Sequence, residues 1–286
     1  MTTYFAPSTL SKAVAYMQEN QTTKIIAGGT DLLVAHYQEL DRLPGLMDIG
    51  NIAELKTITT GQEVEIGALV THEEIADHPW LQQHVPALCQ GAAQVGGPQI
   101  RNRGTLGGNL VHASPAADLA PPLMVLGAVV ELTGSSQVQV PLEEFFKGPG
   151  KTVMEPNQIL TKVKFSKPAA NQGGAYLKLG KRKAMAIATA SVAVIVTVDN
   201  NRLADLRICL GSVAPVPLRA HKTEDLLRGQ RLDLLELAAG ERQLQAEISP
   251  IDDIRGSAEY RRQAAGPLFR RALLQAINNV GVTQHG

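Results

Sequence analysis

Gly97-Pro98-Gln99-Ile100-Arg101-Asn102-Arg103-Gly104-Thr105-Leu106-Gly107-Gly108-Asn109 is the stretch on which the reading of this chain turns. Gly104, Gly107 and Gly108 crowd one short segment, with Thr105 and Asn109 beside them as hydrogen-bonding side chains. A core strand would not accept so many glycines, because each weakens it and leaves a gap. A loop uses them where the main chain must wrap a ligand. Upstream, Ala27-Gly28-Gly29-Thr30-Asp31 lies between a strand read at 24–27 and a helix read at 30–40. Two glycines there let the backbone approach a ligand, and N–H groups point outward at the helix start, an arrangement suited to a pyrophosphate. Alone, that turn reads better as a plain connection needing one residue of positive φ. Two such loops in one chain point to a dinucleotide.

The obvious rival for a dinucleotide is a nicotinamide-binding Rossmann unit. It requires G-x-G-x-x-G after the first strand and an acid about 20 positions on. Here the first turn is Gly28-Gly29-Thr30-Asp31, and Asp48 has no such fingerprint to belong to. The P-loop pattern G-x-x-x-x-G-K-[ST] is absent.

Around the two glycine segments the chain divides into three blocks: 1–56, 57–172 and 173–286. In the first, Leu10, Ala13, Val14 and Met17 recur at helical spacing after Ser8, and a strand is read at 46–49. The second opens with a strand at 63–69. Thr71-His72-Glu73-Glu74 then has the capping-box pattern, and a helical stretch at 80–95 is divided by Pro86. Strands at 128–133, 138–142 and 159–165 close it. The third starts with a strand at 176–179 and a basic stretch at 178–183. Strands at 192–198 and 206–210 follow, joined by the turn Asp199-Asn200-Asn201, and Pro215 and Pro217 end that meander. Helical patterns at 222–228, 234–245 and 260–280 finish the chain, the last expected to bury Leu268, Leu273 and Ile277.

Composition narrows the function further. Lysine plus arginine and aspartate plus glutamate each total 27, so no net charge favours nucleic acid or an anionic membrane. The opening MTTYFAPSTL lacks a basic head and apolar core, and the longest apolar run, 192–196, is far too short to span a bilayer. A cytoplasmic protein without membrane insertion is expected. Cys89 and Cys209 stand alone, without C-x-x-C spacing, and the seven histidines form no H-x-x-x-H pair. No metal site is therefore expected, and any redox chemistry must be carried by an organic cofactor.

Three motifs in order, 24–33 (KIIAGGTDLL), 97–109 and Ala113-Ser114-Pro115-Ala116-Ala117-Asp118, closely resemble the FAD-binding medium subunit of the xanthine dehydrogenase and carbon monoxide dehydrogenase family of molybdenum hydroxylases. The resemblance runs the length of the chain, and Gly148-Pro149-Gly150-Lys151-Thr152 and the segment 178–188 share in it. It implies an α+β fold: a two-subdomain FAD-binding module of the vanillyl-alcohol oxidase and MurB kind, then a C-terminal α+β domain with a small, three-stranded antiparallel sheet.

The resemblance also implies a set of cofactor-binding residues. Lys24, Ile25, Ile26, Ala27, Gly28, Gly29, Thr30, Asp31 and Leu32 would wrap the FAD pyrophosphate. Thr105, Gly108 and Asn109 would hold the phosphate–ribityl region, with Val95 and Gly96 alongside. Asp118 matches a hydrogen-bonding position, Leu160 an apolar contact, Lys178 a basic contact near the flavin, and Ile187 a side chain against the isoalloxazine that would shield it. His112 lies beside the glycine loop at a position that does not bond the flavin. Leu160 and Ile187 could equally be core residues, Lys178 a solvated charge and Asp118 a helix cap.

By the same resemblance the chain is an electron-relay subunit with no catalytic residue of its own for the organic substrate. A small partner carrying two [2Fe-2S] clusters would deliver electrons to FAD, and an outside acceptor would take them. A large partner would hold the molybdenum cofactor, in a dimer of heterotrimers. Two isolated cysteines cannot supply the extra [4Fe-4S] cluster of some relatives. An independent FAD-dependent oxidoreductase, or a flavin-binding subunit without turnover, are the alternatives.

Overall fold

The computed structural model describes residues 3–38, 42–182 and 184–281. The chain begins with β1 (Thr3–Phe5), α1 (Leu10–Glu19), β2 (Lys24–Ile26), α2 (Leu32–Ala35) and β3 (Gly45–Asp48). The three strands pair in parallel in the order β1-β3-β2, which requires crossover connections of the kind α1 supplies. Helix α1 buries Ala13 and Met17 against Met47, Ile49 and Ile52, and its cap is Thr9 rather than Ser8. The helix expected at 30–40 is a single turn, and Glu39 and Leu40 lie outside the described residues. Its apolar side chains explain the difference: Leu33, Val34 and Tyr37 all face solvent, so no core contact extends the helix.

The middle of the chain runs β4 (Ile58–Thr59), β5 (Glu63–Gly67), α3 (His72–Asp77), α4 (Pro79–His84), α5 (Pro86–Ala93), α6 (Pro98–Arg101), α7 (Leu106–His112) and α8 (Ala120–Val125). It continues with β6 (Val129–Thr133), β7 (Gln137–Pro141), α9 (Leu142–Phe145), the pair β8 (Phe146–Gly148) and β9 (Lys151–Thr152), and β10 (Ile159–Ser166). The sheet is antiparallel in the order β4-β5-β10-β6-β7. Val64, Ile66, Val130, Leu132, Val163 and Phe165 turn one face into the main core, with Leu88, Leu106, Leu110 and Leu123 from the helices. On the opposite face Glu65 pairs with Lys162 at 2.9 Å and Lys164 with Glu131 at 3.0 Å, a charge ladder across three strands. Thr71 and Glu74 form the expected capping box, and Pro86 divides the helical stretch as expected by starting α5.

The last third holds β11 (Gln172–Leu179), β12 (Ala190–Asp199), β13 (Arg202–Gly211), β14 (Leu218–Arg219), α10 (His221–Leu227), α11 (Leu237–Glu247) and α12 (Ala258–Asn278). Asn200 and Asn201 both take positive φ, 47° and 58°, the backbone that a tight hairpin between twisted strands demands. The antiparallel sheet has four strands, not three, because the chain returns after Pro217 and pairs Leu218 and Arg219 with β13. The prolines therefore do not end the meander. Both faces of this sheet are covered. Tyr176, Ala193 and Cys209 join the main core, while Val192, Val194 and Leu210 pack with Phe269, Leu273 and Ala276 of α12. No described helix is long and apolar enough to cross a membrane.

Candidate functional site

Strand β2 ends at Ile26, whose carbonyl accepts the Ile49 N–H at 3.0 Å, and the first glycine turn follows. Gly29 sits at φ +75°, a conformation that side-chain-bearing residues rarely take. The Gly29 carbonyl accepts the Leu33 N–H, so the turn leads directly into α2. Among the described residues, the N–H groups of Gly28, Gly29, Thr30 and Asp31 have no acceptor. A consecutive row of free amides is a cradle for an anion.

The second glycine segment is not the open loop expected. Thr105 caps α7, its hydroxyl oxygen accepting the Gly108 N–H at 3.1 Å. Leu106 and Gly107 donate to the carbonyls of Val70 and Ala68 at 2.9 and 2.8 Å, and Gly104 accepts from His72. The glycines therefore serve different ends. A β-carbon on Gly107 would lie 2.8 Å from that of Ala68, and one on Gly104 would lie 2.9 Å from the His72 ring. On Gly108 it would meet only the Thr105 hydroxyl, at 3.1 Å, and this glycine is exposed. Next to it, Asn109 Oδ1 is closed off from solvent without a donor. The two segments touch: a β-carbon on Gly28 would fall 1.8 Å from the Arg103 carbonyl oxygen.

Behind these turns lies a buried polar cluster. The Ser114 hydroxyl and carbonyl accept from Ala116 and Ala117, a turn that carries the chain to Asp118. There Lys178 Nζ donates to Asp118 Oδ2 at 2.7 Å and to the Gln94 carbonyl at 2.8 Å, and the Tyr176 hydroxyl donates to Asp118 Oδ1 at 2.6 Å. Burial pushes the Asp118 carboxyl above its usual range, with the Lys178 ammonium as the main counterweight. Burial and the adjacent carboxylate push the Tyr176 phenol well above its ordinary value, so it remains a donor. Lys178 is thus not a solvated charge, and Asp118 is not a cap, since the cap of α8 is Leu119, which makes no side-chain bond. The bond from Lys178 to Gln94 brings the cluster to the edge of Val95 and Gly96.

A further segment from the last third borders the turn. Arg182 donates twice to the Met185 carbonyl, at 2.7 and 3.2 Å, and Met185 adopts φ +53°. Its thioether packs over Gly97, within 3.5 Å of where a β-carbon would stand. Ile187 is 62% exposed and so is no core residue; Lys183, the third cation read here, lies outside the described residues. Leu160, in contrast, is buried in the main core. His112 is exposed at the end of α7, and Gly150 donates to the Ala113 carbonyl just after it. The structure thus joins the 24–32 turn to the start of α7, and Asp118 to Lys178. A cavity of about 680 Å³, lined by Thr9, Val14, Glu54 and Thr133 among others, includes none of the candidate residues.

Sequence reasoning missed Tyr176, Gln94, Met185 and His72. Tyr176 and Lys178 stand two apart on one strand and so share a face, a signal that period-2 reading offers. The contacts of Met185 and His72 have no local signature. His72 is nearly fully buried beneath Gly104, Nδ1 without a partner, and burial with nearby Arg101 pushes its pKa down to about 4. Among the described residues no group of histidine, cysteine, aspartate and glutamate could hold a metal.

Two families match the chain: "FAD binding domain in molybdopterin dehydrogenase" over residues 1–168, and "CO dehydrogenase flavoprotein C-terminal domain" over residues 175–276. The xanthine dehydrogenase FAD-binding subunit of Escherichia coli O157:H7 is 32% identical over 97% of each chain. The carbon monoxide dehydrogenase medium chain of Hydrogenophaga pseudoflava is 33% identical over 94% of this chain and 95% of that one. The solved carbon monoxide dehydrogenase of the same organism superposes with a TM-score of 0.93 at 33% identity, covering 98% of both chains. Quinoline 2-oxidoreductase from Pseudomonas putida 86 gives 0.91 at 28% identity over 98% of both.

Proposed function

The chain belongs to the FAD-binding medium-subunit family of the molybdenum-containing hydroxylases, and from that premise we propose how its own residues serve an electron relay. The row of free amides from Gly28 to Asp31, set against the second glycine segment, is the observation that carries the reading. It offers donors to a diphosphate, and the exposed Lys24 adds a cation at the start of β2. Thr105, exposed Gly108 and the unsatisfied Asn109 Oδ1 offer a small polar face to the ribityl chain and its phosphate. Val95, Gly96, Asp118 and Lys178 border the ring side, with Ile187 on the exposed rim and Leu160 packed beneath. The donor set fits FAD.

Bound there, FAD supplies the step between one-electron clusters and a two-electron acceptor. This chain's residues hold it, exclude water from the buried Asp118–Lys178 pair, and set the local charge. None acts on the organic substrate. The partners we propose are a large molybdopterin-binding subunit and a small [2Fe-2S] subunit, assembled as a dimer of heterotrimers in the cytoplasm. Three hydrophobic clusters support the division into 1–56, 57–172 and 173–286, the first borrowing Leu69 and Ile159, and the main one Tyr176, Ala193, Ile195 and Cys209.

Denaturing the native complex tests the assignment. One FAD per copy of this chain should be released by acid or heat, with molybdenum and iron in the same preparation. FMN, a covalently retained flavin, or a metal-free homogeneous preparation would overturn it.

A further inference from the structure

We infer that Tyr176 is a positioning residue of the flavin site, its hydroxyl locking the Asp118 carboxylate against the Lys178 ammonium across the seam between the FAD-binding half and the C-terminal sheet. The inference rests on the reading above, in which Asp118 and Lys178 border the cofactor.

The geometry is that of a built latch. Tyr176 is among the largest fully buried side chains, and its ring packs in the main core, so nothing about its packing requires a hydroxyl. Yet that hydroxyl reaches Asp118 Oδ1 at 2.6 Å, 58 residues away in sequence. Its backbone N–H is fixed too, donating to Gln90 Oε1 at 2.8 Å, and Lys178 is tied to the Gln94 carbonyl one helical turn later. Helix α5 therefore holds β11 at two points, and both side chains aimed at Asp118 come from β11. The titratable groups facing Asp118 are Lys178 and Tyr176; α5 presents only the Gln94 carbonyl and the Gln90 amide. Strand β12 adds Ser191, buried and opposite Lys178 in register, whose hydroxyl lies against the Tyr176 phenol and tempers its upward shift.

An ionised carboxylate this deep is maintained only by its partners. Lys178 supplies the charge, and Tyr176 the second donor that keeps Oδ1 from being orphaned. With the hydroxyl gone, Asp118 binds a proton more readily. The Lys178 charge then stands uncompensated beside the cofactor.

The test is Tyr176→Phe in the native complex, which keeps the ring and deletes one oxygen. The pH at which flavin is lost on acidification should rise by about one to two units, the size that loss of a hydrogen bond to a charged group produces. Below the pH at which Asp118 takes up its proton, the midpoint potential of the flavin should move positive. In an Asp118→Asn background the same substitution should shift neither quantity further, because the group through which Tyr176 acts no longer titrates. A wild-type pH profile and potential in Tyr176→Phe overturn the inference. So does an effect that persists undiminished in the Asp118→Asn background, which would make the hydroxyl merely structural. Failure of the underlying reading looks different: Asp118→Asn and Lys178→Met would themselves leave flavin content and potential unchanged.

Discussion

The two glycine segments look alike in sequence and are built for opposite purposes. Among the described residues the 28–31 turn leaves four consecutive amides free, and it is half-exposed or exposed throughout. The 104–108 segment spends its amides on Val70, Ala68 and Thr105, and two of its three glycines are buried under neighbouring chain. Among the described residues one segment leaves its amides unspent; the other is stitched down, with Gly108 exposed at its end and the Asn109 Oδ1 closed in beside it. Glycine density therefore marks close approach of main chain, and only the fate of the N–H groups tells whether the approaching partner is a ligand or the protein itself.

Gly28→Val gives the largest effect and strikes the contact between the segments. Its β-carbon must displace the Arg103 carbonyl, 1.8 Å away in the present geometry. Flavin content should fall at least about tenfold and the unfolding midpoint should drop, since overpacking against backbone costs about 1–3 kcal/mol or more. Full flavin content in the purified variant would separate the two segments as functional units.

Acid should distinguish them next. His72 lies under Gly104, in the second segment. Its folded pKa of about 4 is below the ordinary 6.5, so the unfolded chain takes up a proton that the fold refuses. The associated stability is complete above pH 6.5 and is lost as pH falls toward 4, by roughly 3 kcal/mol. Urea titrations along a pH series should show this slope in the wild type and a shallower one in His72→Gln. Parallel curves would remove His72 from the account.

The finest contrast is between adjacent glycines of α7. Gly107→Ala should destabilise the protein by about 1–3 kcal/mol, because its β-carbon meets Ala68 at 2.8 Å. Gly108→Ala should leave thermal stability unchanged or slightly higher, alanine being the better helix former by up to about 1 kcal/mol, yet lower flavin retention. Equal behaviour of the two variants in both measurements would erase the distinction between packed and presented glycines.

Much of the architecture was legible where chemistry is local. The Asn200-Asn201 turn, the Thr71–Glu74 capping box and the break at Pro86 each rest on neighbours within a few residues. Helix α7 was hidden because glycines at its first turn argue against a helix, and the Thr105 cap, the bonds to Ala68 and Val70 and the burial of Leu106 and Leu110 stabilise it. At 30–40 the opposite error arises, since apolar residues at helical spacing imply a buried face that the fold does not provide. Strand β14 is two residues long and follows a proline, below what any periodicity can show. Within the site, the positions of the glycine turns and of Asp118 and Lys178 could be named in advance. The Tyr176–Asp118 bond and the Met185–Gly97 contact could not, because each joins segments distant in sequence.

The four-stranded sheet of the last third is covered on both faces, by α12 on one side and by the main core on the other. During synthesis, then, the earlier two-thirds leaves the ribosome with a broad apolar surface still waiting for Tyr176, Ala193 and Cys209. That surface stays sticky until β11 to β13 emerge, and this interval is when the nascent chain is most exposed to aggregation and most dependent on chaperones. A ribosome that stalls between residues 172 and 211 would strand the protein there.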